Sequence, residues 1–386
     1  DSPIVPSEDE LPIDPSSSAP AGYDESQRGV AGGFVGDPDV MDTWATSSLS
    51  PQIATGWVDD QDLFERTFPM DLRPQGPEII RTWLFATVVR AHFEHGSLPW
   101  SDTTINGWIL DPDRKKMSKS KGNVITPMPL IEEFGADAIR YWACRGGPGV
   151  DTALDKGVMK VGRRLAIKVL NVSKFVLGQG VTGDVDVRAV TEPLDRAMLA
   201  QLDIAVHDAT TAFSSFDYAR ALERTETFFW RFCDDYVELV KGRAYGDDPA
   251  GSASAKAALA VALSTLQRAL APFLAFVCEE VWSWWQEGSV HRQPWPEVTG
   301  MAAGGDPLVF TVAADALASI RKAKTEAKRS LRTPVERAVL TDDPDRAAAL
   351  RLAARDVAEA GAIADLVVAD GDPSVDITLA PEEAAS

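Results

Sequence analysis

The segment best suited to chemistry runs from Asp111 to Asn123, here called the basic loop, and reads Asp-Pro-Asp-Arg-Lys-Lys-Met-Ser-Lys-Ser-Lys-Gly-Asn. It concentrates five basic side chains, two serine hydroxyls and Gly122. Lysines act as flexible point charges, hydroxyls donate hydrogen bonds, and glycine lets the backbone approach a ligand closely. The composition therefore predicts a loop that binds a polyphosphate, with a solvated basic turn as the alternative. It is not a Walker A loop, because no G-x-x-x-x-G-K-[ST] sequence occurs in the chain.

The elements that would position this loop have the pattern of an α/β unit between about residues 40 and 143. The short apolar run from Ile105 to Leu110 predicts a buried strand directly before the loop. The pattern predicts one helix from Pro77 to His92 and another from Pro129 to Ala143, where proline suits the first turn. Residues 1–36 are rich in Pro, Ser, Gly and acids, and predict an irregular acidic lead-in.

The rest of the chain is predicted to be mainly helical. The expected fold class is therefore a partial Rossmann-type α/β domain over 37–150, an antiparallel helical bundle over 151–300 and a small α+β region over 301–386. The expected bundle helices cover residues 156–178, 193–214, 217–242, 252–270 and 272–286. The expected C-terminal elements are helices at 312–330 and 344–360 and strands at 335–340, 365–369 and 375–379.

The net charge of −20 is concentrated at the two ends of the chain. Residues 1–42 carry ten acids against Arg28, and residues 338–386 carry eleven acids against three arginines. The stretch 160–174 has five basic side chains and no acid. Since the local field steers a polyanion more than the net charge does, the distribution permits RNA binding. Solvated helix faces explain such basic clusters equally well.

Cysteine and histidine usage excludes several classes of site. Three widely spaced cysteines, Cys144, Cys233 and Cys278, cannot form a disulfide framework or a CxxC metal site and suit a reducing cytosol. His92 and His95 lack partners at ligand spacing, so no metal site is expected. No apolar run approaches the roughly 18 residues needed to span a bilayer, and no signal peptide is visible, which predicts a cytoplasmic protein without membrane contact.

Four motifs in a fixed order resemble one known family. They are Asp39-Val-Met-Asp-Thr-Trp44, the Arg-Pro-Gln-Gly run from Arg73 with the helix after it, Phe134–Trp142, and Ser289–Pro296. Together with the basic loop they are similar to the valyl-tRNA synthetases, class I aminoacyl-tRNA synthetases, over about residues 35–300. The isoleucyl and leucyl families share the loop and the Asp-Thr-Trp element and stay as alternatives. They usually lack the Arg-Pro-Gln-Gly run.

The resemblance implies a reaction and a set of partners. The expected activity joins valine to tRNA(Val) at the expense of ATP, which is bound with Mg²⁺ as substrate. Lys119, and secondarily Lys116, would stabilise charge on the leaving pyrophosphate. The loop residues expected to contact ATP are Lys116, Met117, Ser118, Lys119 and Ser120.

The resemblance also implies a valine pocket and a tRNA surface. Ile79 and Trp83 are four residues apart and would share one helix face, and Trp44 would close the pocket. The alternative is that all three are core residues. Asp42 would bind the amino group of valine or cap a helix. Candidate tRNA phosphate contacts are Arg163, Arg164 and Lys168, with a solvated helix face as the alternative.

The chain departs from the family pattern in three places. The second class I signature, His-x-Gly-His, is absent, and so is the large editing domain. Pro77 stands where relatives commonly have histidine. We therefore expect the C-terminal portion of the enzyme, inactive alone and completed by a separate N-terminal half. A non-catalytic tRNA-binding fragment is the alternative from another functional class.

Overall fold

The computed structural model describes residues 2–39, 43–181, 183, 186–297 and 304–381, and of Lys119 only the backbone. The chain divides into two compact units, Asp1–Asn106 and Gly107–Ser386. Helices dominate the described residues, and the sheets are small. The predicted combination of α/β and helical parts is therefore present.

The first unit begins with a largely irregular segment and then alternates helices with strands. The segment up to residue 39 contains short 3-10 turns at Glu8–Glu10 and Glu25–Gln27. The elements after it are α1 (Thr43–Ser47), α2 (Ser50–Ala54), α3 (Gln61–Thr67), β1 (Met70–Gln75), α4 (Phe85–His95) and β2 (Trp100–Ile105).

The predicted helix from Pro77 to His92 exists, but its first half is not a regular α-helix. A 3-10 turn over Pro77–Ile79 leads into a π-helical turn over Ile80–Leu84, and α4 follows. The helix ends at Gly96, whose φ of 67° is the left-handed conformation that glycine adopts easily. The assumption that Ile79 and Trp83 share one face of a regular α-helix is therefore wrong, because the backbone changes its winding between them.

The predicted buried strand from Ile105 to Leu110 is wrong. β2 ends at Ile105 after pairing in parallel with β1 from Met70↔Trp100 to Gln75↔Ile105. A separate two-residue strand, β3 (Ile109–Leu110), pairs with β4 (Thr152–Ala153). Ile105 and Ile109 are exposed by 37% and 44%. The apolar run predicted the wrong strand because β2 and β3 are defined by backbone pairing with β1 and β4, which are distant in sequence, and not by burial of their side chains.

The second unit contains the basic loop and most of the helices. The predicted helix Pro129–Ala143 is two helices, which separate at Gly135 with φ of 89°. After β3, the helices are α5 (Pro127–Phe134), α6 (Ala136–Arg145), α7 (Lys156–Leu177), α8 (Pro193–Ser214), α9 (Tyr218–Arg231), α10 (Val237–Tyr245), α11 (Pro249–Leu270) and α12 (Ala275–Trp282), with β4 between α6 and α7 and a π-helical turn over Phe232–Tyr236. Helices lie at all five predicted positions, but the helix predicted at 217–242 contains the π-helical turn, and the one predicted at 272–286 is only eight residues long.

Local sequence explains where several of these helices start. The carboxylates of Asp155 and Asp248 accept hydrogen bonds from the first backbone amides of α7 and α11, and Pro193 begins α8. Asp and Pro are favoured at these positions because the first amides of a helix have no intrahelical acceptor. Aromatic side chains of α9 and of the π-helical turn are part of the core: Phe228, Phe229, Phe232 and Tyr236 are at most 5% exposed.

The C-terminal residues form the predicted α+β arrangement. Its elements are α13 (Pro307–Glu326), β5 (Val335–Asp342), α14 (Pro344–Leu352), α15 (Ala354–Gly361), β6 (Ile363–Asp370) and β7 (Ser374–Leu379). β5 lies between β6, which is parallel to it, and β7, which is antiparallel. Buried residues of β5 such as Ala338 and Leu340 belong to the same hydrophobic cluster as the α7–α12 helices. Among the described residues, no helix has the length and hydropathy required to cross a bilayer.

Candidate functional site

The basic loop starts with a closed turn. Leu110 and Lys116 form an antiparallel bridge, and the amide of Asp111 donates to the carbonyl of Lys115 at 2.9 Å. Arg114 has a φ of 62°, which lets the chain reverse direction between these strands. The predicted phosphate-binding residues therefore follow a hydrogen-bonded turn, residues 110–116, which is here called the base of the loop.

Two side chains that the sequence reasoning missed tie the two ends of the loop together. Asp111 is 7% exposed, and its carboxylate accepts hydrogen bonds from the amide of Lys115 and from Asn123 Nδ2, each at 2.8 Å. Asn123 Oδ1 accepts from the amide of Ser118 at 3.0 Å, and Asn123 Nδ2 also donates to the carbonyl of Lys116 at 3.3 Å. The hydrogen bond from the Lys115 amide, followed by that from the Asn123 side chain, lowers the pKa of the Asp111 carboxyl.

The side chains predicted to contact phosphate lie on the turn beyond this base. Lys116 is exposed, with its Nζ 3.4 Å from the centroid of the Trp108 ring, a cation–π contact. Met117 and Ser118 are half-buried, and the hydroxyl oxygens of Ser118 and Ser120 are 3.3 Å apart. Lys119 begins the 3-10 turn Lys119–Lys121, and its side chain lies outside the described residues. Such a turn can offer ammonium and hydroxyl groups to one anion.

Trp83 is the best-fixed residue of the predicted amino-acid pocket. It is 4% exposed, stacks on Trp100 with ring centroids 5.8 Å apart, and donates from Nε1 to the carbonyl of Ser47 at 2.8 Å. The guanidinium of Arg73 lies 4.2 Å from the centroid of its ring. The bond to Ser47 connects the π-helical turn to α1, the helix that carries Trp44. These contacts give Trp83 a structural role as well.

Trp44 and Ile79 are less buried than Trp83. Trp44 is 36% exposed, Ile79 is half-buried, and Asp42 lies outside the described residues. An open apolar depression of about 470 Å³ beside α4 is lined by Ile80, Arg81, Leu84, Phe85 and Val88. Of the predicted pocket residues that the structure describes, Trp44, Ile79 and Trp83, none lines this depression.

The three predicted phosphate contacts on α7 differ in their surroundings. Lys168 is ion-paired with Asp234 at 2.7 Å and is 33% exposed. Arg163 is exposed and donates to the carbonyl of Glu133 at 2.8 Å. Arg164 is exposed, and within the described part of the chain its side chain has no hydrogen bond or ion pair. Arg163 and Arg164 line an open depression of about 690 Å³. Arg164 is thus the most available cation of the three.

His95, one of the two histidines for which no metal site was expected, lies among aromatic rings. The ring of His95 packs against Trp57, Phe64 and Phe68, with centroids 5.4, 5.3 and 4.9 Å away. Across the described ranges, no group of three or more His, Cys, Asp or Glu residues is arranged to hold a metal ion.

Two family models match the chain. Residues 20–155 match tRNA synthetases class I (I, L, M and V), and residues 195–340 match the anticodon-binding domain of tRNA ligase. The first match contains the basic loop and the predicted pocket. The second covers α8 to α13 and most of β5.

Similar curated proteins include valine–tRNA ligases from three bacteria. That of Thermobifida fusca (strain YX) is 60% identical over 99% of this chain and 44% of its own length. Those of Salinispora tropica and Leifsonia xyli subsp. xyli are 56% and 53% identical over 98% and 99% of this chain, and each is covered to 46%. The chain therefore spans less than half the length of these relatives.

A solved structure has a similar fold. The ternary complex of Agrobacterium radiobacter K84 agnB2 LeuRS with tRNA and LeuAMS superposes with a TM-score of 0.59. The alignment covers 91% of this chain and 43% of that one at 18% identity, so the likeness concerns the fold alone.

Proposed function

Because the chain belongs to the valyl-tRNA synthetases, a family of class I aminoacyl-tRNA synthetases, we propose that it takes part in attaching valine to tRNA(Val). In this reaction the carboxylate of valine attacks the α-phosphate of ATP, and pyrophosphate leaves. The aminoacyl group then moves to the 3′ end of the tRNA. The observation that carries the proposal is the basic loop. Its two ends are joined by the hydrogen bond between Asn123 and Asp111, and Lys116 and Ser120 are exposed on the turn between them.

The loop would act by positioning and by charge. The ammonium groups of Lys119 and, secondarily, Lys116 would neutralise charge that develops on the pyrophosphate as it leaves. The hydroxyls of Ser118 and Ser120 would donate to phosphate oxygens, and Met117 completes the ATP-contacting run. ATP enters with Mg²⁺ as substrate. No covalent intermediate with a side chain is required, so the residues work by binding and orientation.

The amino-acid pocket would lie in the first unit. Trp83 has the fixed position that a pocket wall needs, because it is stacked on Trp100 and bonded to Ser47. Trp44 and Ile79 would supply further apolar contacts, and Asp42 would bind the amino group of valine. A rigid aromatic wall excludes larger side chains by shape.

The wider organisation follows from the same proposal. We divide the chain into a lead-in (1–36), the second half of the catalytic domain (37–150), an anticodon-binding domain (151–300) and a C-terminal region (301–386). Short turns between α8 and α9, between α10 and α11 and between α11 and α12 support an antiparallel arrangement of these neighbours. The part of the relatives' length that this chain does not cover would supply the remaining part of the catalytic domain, and the enzyme would act in the cytoplasm.

Valine-dependent exchange of pyrophosphate into ATP tests the proposed function. The chain would be assayed alone and after co-expression with the remaining part of the Thermobifida fusca relative. We expect exchange with valine only in the combination, and much weaker exchange with isoleucine or leucine. Exchange by the chain alone would contradict the need for a second part. A combination that binds tRNA without any exchange would favour the non-catalytic alternative.

The tRNA surface predicts a ranked response along α7. Arg164→Ala should weaken binding of tRNA(Val) and lower the slope of log K against log salt by about one. Lys168→Ala should change both the affinity and the slope less, because Asp234 already neutralises the Lys168 ammonium. Fluorescence anisotropy of labelled tRNA at several salt concentrations measures both, with exposed Arg188→Ala as the control. Equal slopes for wild type and Arg164→Ala would refute the assignment.

A further inference from the structure

The clasp between Asp111 and Asn123 joins the two ends of the basic loop. We propose that these two side chains are positioning residues that fix the backbone from Lys116 to Ser118 and so place the phosphate-binding turn. The inference rests on the proposed function and adds two residues to it. Neither side chain carries positive charge, and Asp111 would repel a phosphate, so their role is exerted through the loop backbone.

The hydrogen bonds of the clasp use each polar atom of the two side chains. Asp111 accepts the Lys115 amide on Oδ1 and Asn123 Nδ2 on Oδ2. Asn123 accepts the Ser118 amide on Oδ1 and donates from Nδ2 to both Asp111 and the carbonyl of Lys116. Three of these bonds, of 2.8–3.3 Å, thus join the two side chains to the backbone of Lys115, Lys116 and Ser118. The fourth, of 2.8 Å, joins the two side chains to each other.

The arrangement is specific for a carboxylate at one end and an amide at the other. An asparagine at position 111 would face either the Lys115 amide or Asn123 with a second donor. An aspartate at position 123 would face Asp111 with a second acceptor and a like charge. Exchanging the two residue types keeps the bonds to the Lys115 amide, to the Ser118 amide and between the side chains. Only the donor to the Lys116 carbonyl is lost.

The clasp also divides the loop into a fixed and an adaptable part. The bonds reach the backbone of Lys116 and Ser118, whereas the next residues form a single 3-10 turn, Lys119–Lys121, that ends at Gly122 with φ of 67°. A catalytic charge displaced by about 1 Å can cost up to about 100-fold in rate. Because the backbone of Lys116 and Ser118 is fixed, the turn Lys119–Lys121 would approach a ligand from a defined position.

Exchange kinetics of clasp variants test the role in positioning. The assay uses this chain co-expressed with the remaining part of the Thermobifida fusca relative. The variants are Asp111→Asn, Asn123→Asp and the double variant that carries both changes. Each single change should lower kcat for valine-dependent exchange about 10- to 100-fold, with KM for valine unchanged. The double variant should recover most of that loss. Asp113→Asn is the control, since Asp113 is 79% exposed and lies 3.9 Å from Lys115.

Trypsin provides a second measurement that needs no activity. Cleavage in the basic loop of the chain alone should be about tenfold faster in each single variant than in wild type, the double variant or Asp113→Asn, because local opening exposes the lysines. Faster cleavage with unchanged exchange would overturn the positioning role and leave only a structural one. Unchanged cleavage and exchange would overturn the inference altogether. Absence of wild-type exchange would instead count against the proposed function, and the trypsin rates would still decide whether the clasp holds the loop.

Discussion

Replacing Arg243 with methionine is expected to lower the free energy of unfolding by about 3–5 kcal/mol. The Arg243 side chain is 2% exposed and forms two hydrogen bonds to Asp195, of 2.8 and 2.7 Å. Its Nε donates to Asp356 at 2.8 Å. Burial opposes its positive charge, but the bonds to both carboxylates raise the pKa of Arg243 overall. Methionine would leave two buried carboxylates without a cation.

The two carboxylates are expected to respond differently to neutralisation. Asp195 also accepts from Tyr236 at 2.8 Å and from Ser254 at 2.5 Å, so Asp195→Asn disturbs the whole network. Asp356→Asn leaves the paired bonds between Arg243 and Asp195 intact and removes a surplus negative charge. We expect losses of about 3 kcal/mol for the first variant and under about 1 kcal/mol for the second.

The pH dependence of the Asp356 variant follows from its environment. Burial raises the pKa of the Asp356 carboxyl in spite of the hydrogen bond from Arg243. A carboxyl whose pKa is higher in the folded state stabilises the fold below its unfolded-state pKa and loses that contribution as the pH rises through the folded value. Wild type should therefore gain stability relative to Asp356→Asn as the pH falls from about 7 to about 4.

Urea denaturation followed by far-ultraviolet circular dichroism measures these differences. Arg355→Met is the matched control, because Arg355 forms an ion pair with Asp248 at 2.9 Å but is 63% exposed, and such pairs contribute about 0–1 kcal/mol. Equal losses for Arg243→Met and Arg355→Met would contradict the argument. So would equal losses for the two aspartate variants. Unchanged m-values are required for the comparison.

Helix periodicity and capping made the long helices predictable from sequence. α7 was expected at 156–178 and occupies Lys156–Leu177, because its apolar positions repeat at helical spacing and Asp155 caps its first turn. β2 could not be found in this way. Its sequence, Trp-Ser-Asp-Thr-Thr-Ile, is mostly polar, and it is a strand because β1 pairs with it. Pairing with a distant partner leaves no local period to detect.

Buried polar contacts were the main part of the structure that the sequence did not predict. Arg243 and Asp195 are charged residues of the kind that usually faces solvent on a helix. They form a buried pair because α11 packs against both α8 and α10, and α15 packs against α10. Asp111 and Asn123 are twelve positions apart with no periodic relation. Their residue types carried a weak signal, since Asp and Asn often bond nearby backbone amides in loops. The basic residues between them were recognisable because their charge alone suggests a ligand.

Lys119→Ala is expected to slow valine-dependent exchange about 100- to 1,000-fold in the combination of the chain with the remaining part of its relative. The lysine would act on charge that appears only as pyrophosphate leaves, so kcat should fall while KM for valine stays unchanged. Lys116→Ala should have a smaller effect. The Lys116 ammonium lies 3.4 Å from the Trp108 ring centroid, and it must leave that contact before it can reach a phosphate.

Lys115→Ala is the control for the charge of the loop as a whole. Lys115 is 70% exposed, its ammonium lies 3.9 Å from Asp113, and only its backbone takes part in the clasp. A general electrostatic effect of a basic turn would make the three alanine variants similar, because each removes one positive charge. A specific contact with the leaving group makes Lys119→Ala far slower than Lys115→Ala, which should stay within about twofold of wild type. Equal rates for these two variants would show that the loop acts by overall charge and not through Lys119.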